Sequence, residues 1–92
     1  MKTNTMELKV LQAIIEVEER KAYEDEITVN THEVLDNLDS YSIYTRSTED
    51  NLLVITHTVN SLINDGYVKV IDNDNFTFRT TMDGYTLYKK ID

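Results

Sequence analysis

Apolar residues recur every three or four positions in three stretches of the chain, which is the spacing of an amphipathic helix. The stretches cover approximately residues 6–23, 31–38 and 47–63. Asn30 and Glu33 have the spacing of a capping box, which favours a helix start between them. The pattern therefore predicts three helices. Residues 39–46 have neither a sustained helical period nor a glycine hinge, and they are expected to form a loop.

The rest of the chain predicts short strands and one more helix. Three stretches rich in β-branched or aromatic residues are expected to be strands, at residues 27–29, 67–71 and 76–80. The polar residues 72–75 have the composition of a hairpin loop, so the last two strands should pair in an antiparallel ribbon. Gly66 is expected to end the third helix in the left-handed conformation, and Thr81 to cap a final helix that reaches Ile91.

The composition is typical of one small domain in a reducing compartment. The 92 residues include no cysteine, which excludes disulfides and thiolate metal sites. No stretch approaches the roughly 20 apolar residues of a membrane span, and the amphipathic start does not have the pattern of a signal peptide. We therefore expect a single domain over residues 1–92, located in the cytoplasm and not associated with a membrane.

The sequence lacks the residue patterns of common enzymes. His32 and His57 are the only histidines, and they fall in different predicted helices without metal-ligand spacing. There is no nucleophile elbow and no phosphate-binding glycine loop. Glu18 and Glu19 are interpreted as part of a charged helix face, away from any apolar pocket that would raise a carboxyl pKa. We expect a protein that is not an enzyme and needs no cofactor.

Two motifs mark the boundaries of the predicted ribbon. The pattern V-x-x-L-x-x-x-G-Y-V at residues 59–68 joins a helix end to a strand, and F-x-x-T-x-x-G at residues 78–84 joins a strand to a helix start. Both resemble the winged helix-turn-helix family of bacterial and phage-type regulators. The resemblance implies an α+β, mainly α, fold with three helices, a two- to three-stranded antiparallel wing and a C-terminal helix.

The resemblance also implies a DNA-binding transcriptional regulator. The residues to which it assigns contacts with duplex DNA are Arg46, Thr56, His57, Asn60, Lys69 and Arg79. Those on the third helix would meet base edges or phosphates, because Asn pairs with adenine and His with phosphate or guanine. The others would reach phosphates from the loop and the wing.

Two features depart from the family pattern and keep a second function open. Residues 39–46 are longer than the usual tight turn between helices, and the third helix has no Arg or Lys on its outer face. Seventeen acidic residues against nine basic ones give a net charge of −8, which weakens attraction to phosphates. The alternative is an acidic winged-helix module that binds another regulatory protein, as an adaptor or antirepressor does.

A homodimer is also expected from the apolar residues near the two ends of the chain. These residues are Leu8, Val10, Val17, Leu87 and Ile91. They exceed what one small core readily hides, and members of the family often dimerise through terminal helices. Two copies would double the number of cations that face DNA.

Overall fold

Four helices and a two-stranded antiparallel sheet make up the part of the chain that the computed structural model describes, residues 5–24, 27–39 and 48–91. In chain order the elements are α1 (Thr5–Arg20), α2 (Thr31–Asp39), α3 (Thr48–Asn64), β1 (Val68–Asp72), β2 (Thr77–Thr80) and α4 (Met82–Ile91). The predicted α+β, mainly α, class is confirmed. The predicted loop at residues 39–46 lies outside the described residues, apart from Asp39, which ends α2.

Helix α1 is the centre of the core and packs against α2, α3, α4 and β2. Its fully buried apolar side chains are Val10, Leu11, Ala13, Ile14, Ile15 and Val17. The expectation that apolar residues of α1 form a surplus for a dimer was wrong for Val10 and Val17. Because α1 has neighbours on several sides, a single chain hides more of its surface than a one-sided amphipathic pattern suggests.

Helix α1 ends at Arg20, three residues earlier than the pattern predicted. The N–H groups of Lys21 and Ala22 donate to carbonyls three residues back, over 3.1 and 3.3 Å, so the chain leaves the helix in a tighter turn. Lys21 then fixes the connection to α2. Its Nζ donates to the Thr28 carbonyl at 2.7 Å and pairs with Glu33 Oε2 at 2.5 Å.

The predicted capping box at the start of α2 is confirmed. Asn30 Oδ1 accepts from the Glu33 N–H at 2.9 Å, and Glu33 Oε1 accepts from the Asn30 N–H at 3.1 Å. The strand predicted at residues 27–29 is reduced to one bridge, in which Val29 and Phe78 exchange both backbone hydrogen bonds at 2.9 and 3.0 Å. Phe78 is fully buried, and burying a side chain of this size stabilises the fold by roughly 1.5–3 kcal/mol.

Gly66 ends α3 as predicted, with φ of 85°. The Tyr67 N–H donates to the Leu62 carbonyl at 2.9 Å, and the Gly66 N–H donates to Ile63 at 3.1 Å. These two bonds form a Schellman motif, which requires a left-handed residue at the glycine position. The chain therefore turns directly from α3 into β1.

Strand β1 lies one residue later than predicted at both ends, and β2 begins one residue later but ends at Thr80 as predicted. Lys69 pairs with Arg79 and Val70 with Phe78, but Asp72 pairs with Thr77, so the register shifts between Val70 and Asp72. Phe76 belongs to the turn and not to β2, and its φ is 46°. It still packs against the core, with its ring centroid 5.4 Å from that of Phe78.

Thr81 caps α4 as predicted. Its Oγ1 accepts from the Gly84 N–H at 3.2 Å and donates to the Gly66 carbonyl at 2.6 Å. The Thr81 N–H donates to the Tyr67 carbonyl at 3.0 Å. The start of α4 is thereby held against the end of α3. Gly84 faces the Tyr67 carbonyl so closely that a Cβ would collide with it.

Candidate nucleic-acid interface

Helix α3 presents a stripe of solvent-exposed side chains on the face opposite its buried residues. The stripe consists of Leu53, His57, Asn60, Ser61 and Asn64, and we call it the α3 stripe. Ile55, Val59 and Leu62 are fully buried and fix the rotation of the helix. Because residues three, four and seven apart share a helix face, the five exposed side chains lie along one line.

The α3 stripe contains no Asp, Glu, Lys or Arg. No Asp, Glu, Lys or Arg occurs between Asn51 and Asn64, although the whole chain has a net charge of −8. Two hydroxyls of this helix are bound to its own backbone: Thr58 Oγ1 donates to Val54 and Ser61 Oγ to His57. The stripe is therefore a row of amide, imidazole, hydroxyl and apolar groups without a carboxylate, ammonium or guanidinium group.

Leu53 is the large apolar residue of the α3 stripe. Its side chain is 58% exposed, whereas the neighbouring Leu52 packs partly against the core. Isolated exposed apolar residues are common on protein surfaces. Leu53 differs from such isolated residues because it shares a helix face with exposed amides, which can form hydrogen bonds with a partner.

The ribbon places the two predicted wing cations beside each other. Lys69 in β1 and Arg79 in β2 are direct cross-strand partners, and Lys69 is exposed to solvent. Arg79 is 38% exposed, and its Nε lies 3.9 Å from Oε2 of Glu18. Lys69 is thus the more accessible of the two, while the charge of Arg79 is partly balanced within the molecule.

The prediction that Glu18 belongs to a charged outer face of the first helix was wrong. The Glu18 side chain is only 3% exposed and lies beside β2, not on a charged outer face. Oε2 accepts from the Thr80 N–H at 2.8 Å, and Oε1 accepts from the Tyr85 hydroxyl at 2.7 Å. The carboxylate thus accepts the Thr80 N–H as the carbonyl of a neighbouring strand would. It does so on the edge of β2 where Val29 pairs with Phe78.

This arrangement affects the titration of Tyr85. Burial raises the pKa of the Tyr85 hydroxyl above its ordinary value of 10.0, and the hydrogen bond and negative charge of Glu18 raise it further. The hydrogen bond and positive charge of Arg79 act in the opposite direction. Glu18, Arg79 and Tyr85 therefore form one coupled cluster next to the ribbon.

The turn between the strands adds negative charge close to Lys69 along the chain. Asp72 Oδ1 accepts from the Asp74 N–H at 2.9 Å, and Oδ2 accepts from the Asn75 side chain at 3.0 Å. These bonds give the turn a defined shape. They also leave Asp74 exposed at the tip of the ribbon, where it would repel a phosphate.

The predicted contact residues fall into two groups. Thr56, His57 and Asn60 lie on α3, where Thr56 is half-buried beside the stripe, and Lys69 and Arg79 adjoin in the ribbon. Arg46 lies outside the described residues. Among the described residues, no group of three or more His, Cys, Asp or Glu side chains is placed to hold a metal ion. None of the described helices is long and apolar enough to cross a membrane.

Comparison with known proteins leaves the family open. No protein-family model, curated protein or solved structure matches the chain. Any assignment of function must therefore rest on the geometry and chemistry of the residues described above.

Proposed function

We propose that this chain is a winged-helix DNA-binding domain of a transcriptional regulator, with α3 as the recognition helix and β1–β2 as the wing. The order of elements supports the proposal, because α1, the Val29 bridge, α2, α3 and the ribbon follow one another as in that fold. The bridge between Val29 and Phe78 supplies the third, minimal strand of the wing sheet. The resemblance of residues 59–68 and 78–84 to the family agrees with this arrangement.

The observation on which the proposal depends most is the α3 stripe. A recognition helix inserts its outer face into the major groove, which needs exposed hydrogen-bonding groups and no negative charge. The α3 stripe contains exposed amides and no acidic residue, and the acidic residues of the helix, Glu49 and Asp50, lie in its first turn, before the stripe. Asn60 would contact a base edge, and Thr56 and His57 would contact bases or phosphates beside it.

The small number of cations sets the expected strength of binding. Lys69 and Arg79 are the ribbon cations, and Asp74 opposes them, so non-specific affinity should be low at physiological salt. The affinity should then depend on contacts with bases more than it does in DNA-binding proteins that make many phosphate contacts. Two copies on adjacent half-sites would double the phosphate contacts, and the stoichiometry of the titration measures whether they do.

The test is a fluorescence anisotropy titration with a duplex selected from a random pool and with an unselected duplex, each at low and at physiological salt. We expect the wild type to prefer the selected duplex. Asn60→Ala should weaken that preference by about 1–3 kcal/mol. Gln12→Ala, an exposed amide on α1, is the matched control and should leave binding unchanged.

A second function is favoured by the exposed side chain of Leu53 and by the partial neutralisation of Arg79. A helix face of amide and hydroxyl groups with an exposed apolar side chain at one end is also suited to a partner protein. In that case the chain is an interaction module, an adaptor or antirepressor, and binds no duplex. Absence of any duplex binding at low salt, for both the selected and the random sequence, would decide for this function.

A further inference from the structure

The chemistry of the α3 stripe points to one class of DNA target. We propose that the stripe recognises A·T base pairs, so that the binding site in the major groove is rich in adenine and thymine. This inference rests on the proposed function and goes beyond it by naming the sequence class of the ligand. It follows from which side chains are exposed on α3 and from which are absent.

The α3 stripe lacks Arg and Lys, the residues that contact guanine most often, and His57 is its one side chain assigned to guanine or phosphate. Specific contact with G·C pairs is made most often by Arg or Lys, which donate to the O6 and N7 atoms of guanine. Helix α3 has neither residue between Asn51 and Asn64. Glu and Asp, which accept from cytosine N4, occur in α3 only as Glu49 and Asp50, in its first turn and before the stripe. The stripe therefore lacks the usual partners of both bases of a G·C pair.

The α3 stripe has two exposed amides that are suited to adenine. Asn60 and Asn64 are one helical turn apart and both face solvent. An Asn side chain donates to N7 of adenine and accepts from its N6 amino group. This two-bond contact is satisfied only by adenine. No hydrogen bond within the described residues engages the Asn60 side chain, so its amide is available for such a contact.

The exposed side chain of Leu53 is suited to contact with thymine. The C5-methyl group of thymine is the apolar feature of the major groove, and apolar side chains pack against it. Leu53 is 58% exposed and lies on the same stripe as the amides. Contact with a thymine methyl would remove this apolar surface from water. The α3 stripe thus has a partner for each base of an A·T pair.

The dimensions of the stripe fit a short recognition site. Leu53 and Asn64 stand at the two ends of the stripe, and at 1.5 Å per residue they are separated by about 16 Å along the helix axis. With base pairs 3.4 Å apart, that length corresponds to about five base pairs. Asn60 lies between the two ends, so the contacts with thymine and adenine should fall on different base pairs.

The scarcity of positive charge favours the same target. Tracts of A·T pairs have a narrow minor groove with a strengthened negative potential. With the wing at the minor groove beside α3, the exposed Lys69 would gain more attraction from such a tract than from an average sequence. The base preference of α3 and the electrostatics of the ribbon therefore act in the same direction.

The experiment begins with selection of duplexes from a random pool by the whole chain, followed by titration of the best duplex and of two base analogues within it. Replacing one thymine by deoxyuridine removes the methyl group, and replacing one adenine by its 7-deaza analogue removes the N7 acceptor. Each duplex is titrated against the wild type, Leu53→Ala and Asn60→Ala. Met82→Ala and Gln12→Ala, which alter an exposed apolar residue and an exposed amide outside α3, serve as controls.

We expect an A·T-rich consensus. One deoxyuridine position should weaken wild-type binding about fourfold, the effect of one buried methyl group, and should have no effect on Leu53→Ala. One deaza position should weaken wild-type binding about tenfold and leave Asn60→Ala unchanged. The control variants should respond to both analogues as the wild type does.

The outcomes separate this inference from the proposed function. A consensus dominated by G·C pairs, or analogue effects that persist in Leu53→Ala and Asn60→Ala, would overturn the inference while leaving DNA binding intact. A pool from which nothing is enriched, together with no binding at low salt, would overturn both. Circular dichroism of each variant checks that the fold is retained before its affinity is compared.

Discussion

The Tyr85 hydroxyl donates a hydrogen bond of 2.7 Å to Oε1 of Glu18, which ties the last helix of the fold to the first. The other carboxylate oxygen accepts from the Thr80 N–H at 2.8 Å, so β2 is held by the same group. Glu18 is only 3% exposed, so its bond to Thr80 is buried, while its bond to Tyr85 is partly buried. A single buried carboxylate therefore connects α1, β2 and α4.

Replacing Glu18 by Ala should destabilise the protein strongly. The change leaves the Thr80 N–H and the Tyr85 hydroxyl without their acceptor, and a hydrogen bond to a charged group contributes about 1.5–3 kcal/mol. We expect a loss of about 3 kcal/mol or more in the free energy of unfolding, measured by urea denaturation. Glu19→Ala alters the exposed neighbour and should change stability by less than about 0.5 kcal/mol. Equal effects of the two substitutions would contradict the buried role of Glu18.

The environment of Tyr85 should make the protein less stable at high pH. Because burial and Glu18 raise the pKa of Tyr85 in the folded state, the neutral phenol is favoured by folding. This contribution is complete below the unfolded pKa of about 10 and is lost as pH rises through the higher folded pKa. Unfolding by urea at a series of alkaline pH values measures it.

Two control variants make the pH experiment specific. Tyr85→Phe should remove this part of the alkaline loss, whereas Tyr23→Phe, at a fully exposed position, should retain it. A tyrosinate absorbance titration of the folded protein should show one group fewer at the high-pH end in Tyr85→Phe. An unchanged alkaline loss in that variant would remove Tyr85 as its source.

The two glycines should differ in their sensitivity to substitution by Ala. At Gly84 a Cβ would collide with the Tyr67 carbonyl oxygen and lie 2.5 Å from Cγ2 of Thr80, so backbone would have to move. We expect Gly84→Ala to cost about 3 kcal/mol or more. At Gly66 nothing lies within 4 Å of the added Cβ, and the cost of about 1 kcal/mol comes from the positive φ alone. Thermal unfolding of both variants gives the order, and the reverse order would contradict the packing of α4 on Tyr67.

Thr80 provides a substitution that should not destabilise the fold. Its Oγ1 is buried without a hydrogen-bond partner among the described residues. Thr80→Val removes that desolvated hydroxyl and should be neutral or stabilising by about 1 kcal/mol. Thr58→Val is the contrast, because Thr58 Oγ1 donates to the Val54 carbonyl at 2.8 Å, and it should lose about 1 kcal/mol. Urea denaturation of the pair is decisive, and a clear loss in Thr80→Val would show that its hydroxyl has a partner.

The charges of the ribbon should control the salt dependence of DNA binding. Lys69→Gln should weaken binding to all duplexes alike and reduce the slope of log affinity against log salt by about one. Arg79→Gln should have a smaller effect, because the Arg79 charge is partly balanced by Glu18. Asp74→Asn should strengthen binding to any duplex by removing repulsion at the turn. Affinities measured over a salt series test all three, and a slope unaltered by Lys69→Gln would exclude that residue as a phosphate contact.

The features that were predicted correctly are those specified by nearby residues. The helical spacing of apolar positions, the capping box of Asn30 and Glu33, and the left-handed turn at Gly66 each depend on a few consecutive residues. Such signals can be recognised without knowledge of the tertiary structure. The absence of Arg and Lys from the outer face of α3 was visible in the sequence for the same reason.

The features that were missed depend on residues distant in the chain. A glutamate such as Glu18 usually lies on the outer face of a helix. Its burial is explained only by its hydrogen bonds with Thr80 and Tyr85, which are 62 and 67 residues away in the chain. The strand predicted at residues 27–29 reduces to one bridge, since Val29 alone is paired with β2. The pairing of Arg79 with Glu18 has no local pattern, which is why Arg79 was expected to be as available as Lys69.

The position of the Glu18 carboxylate also bears on how the protein behaves when concentrated. Unpaired backbone groups along a sheet edge can recruit a strand from another molecule and start aggregation. On β2 these groups are occupied, by Val29 at Phe78 and by Glu18 at Thr80. A side chain that ends the ladder of hydrogen bonds provides no template for a further strand. Loss of Glu18 should therefore leave an unpaired backbone group on the edge of β2 as well as destabilise the fold, so that Glu18 variants should aggregate at lower concentrations than the wild type.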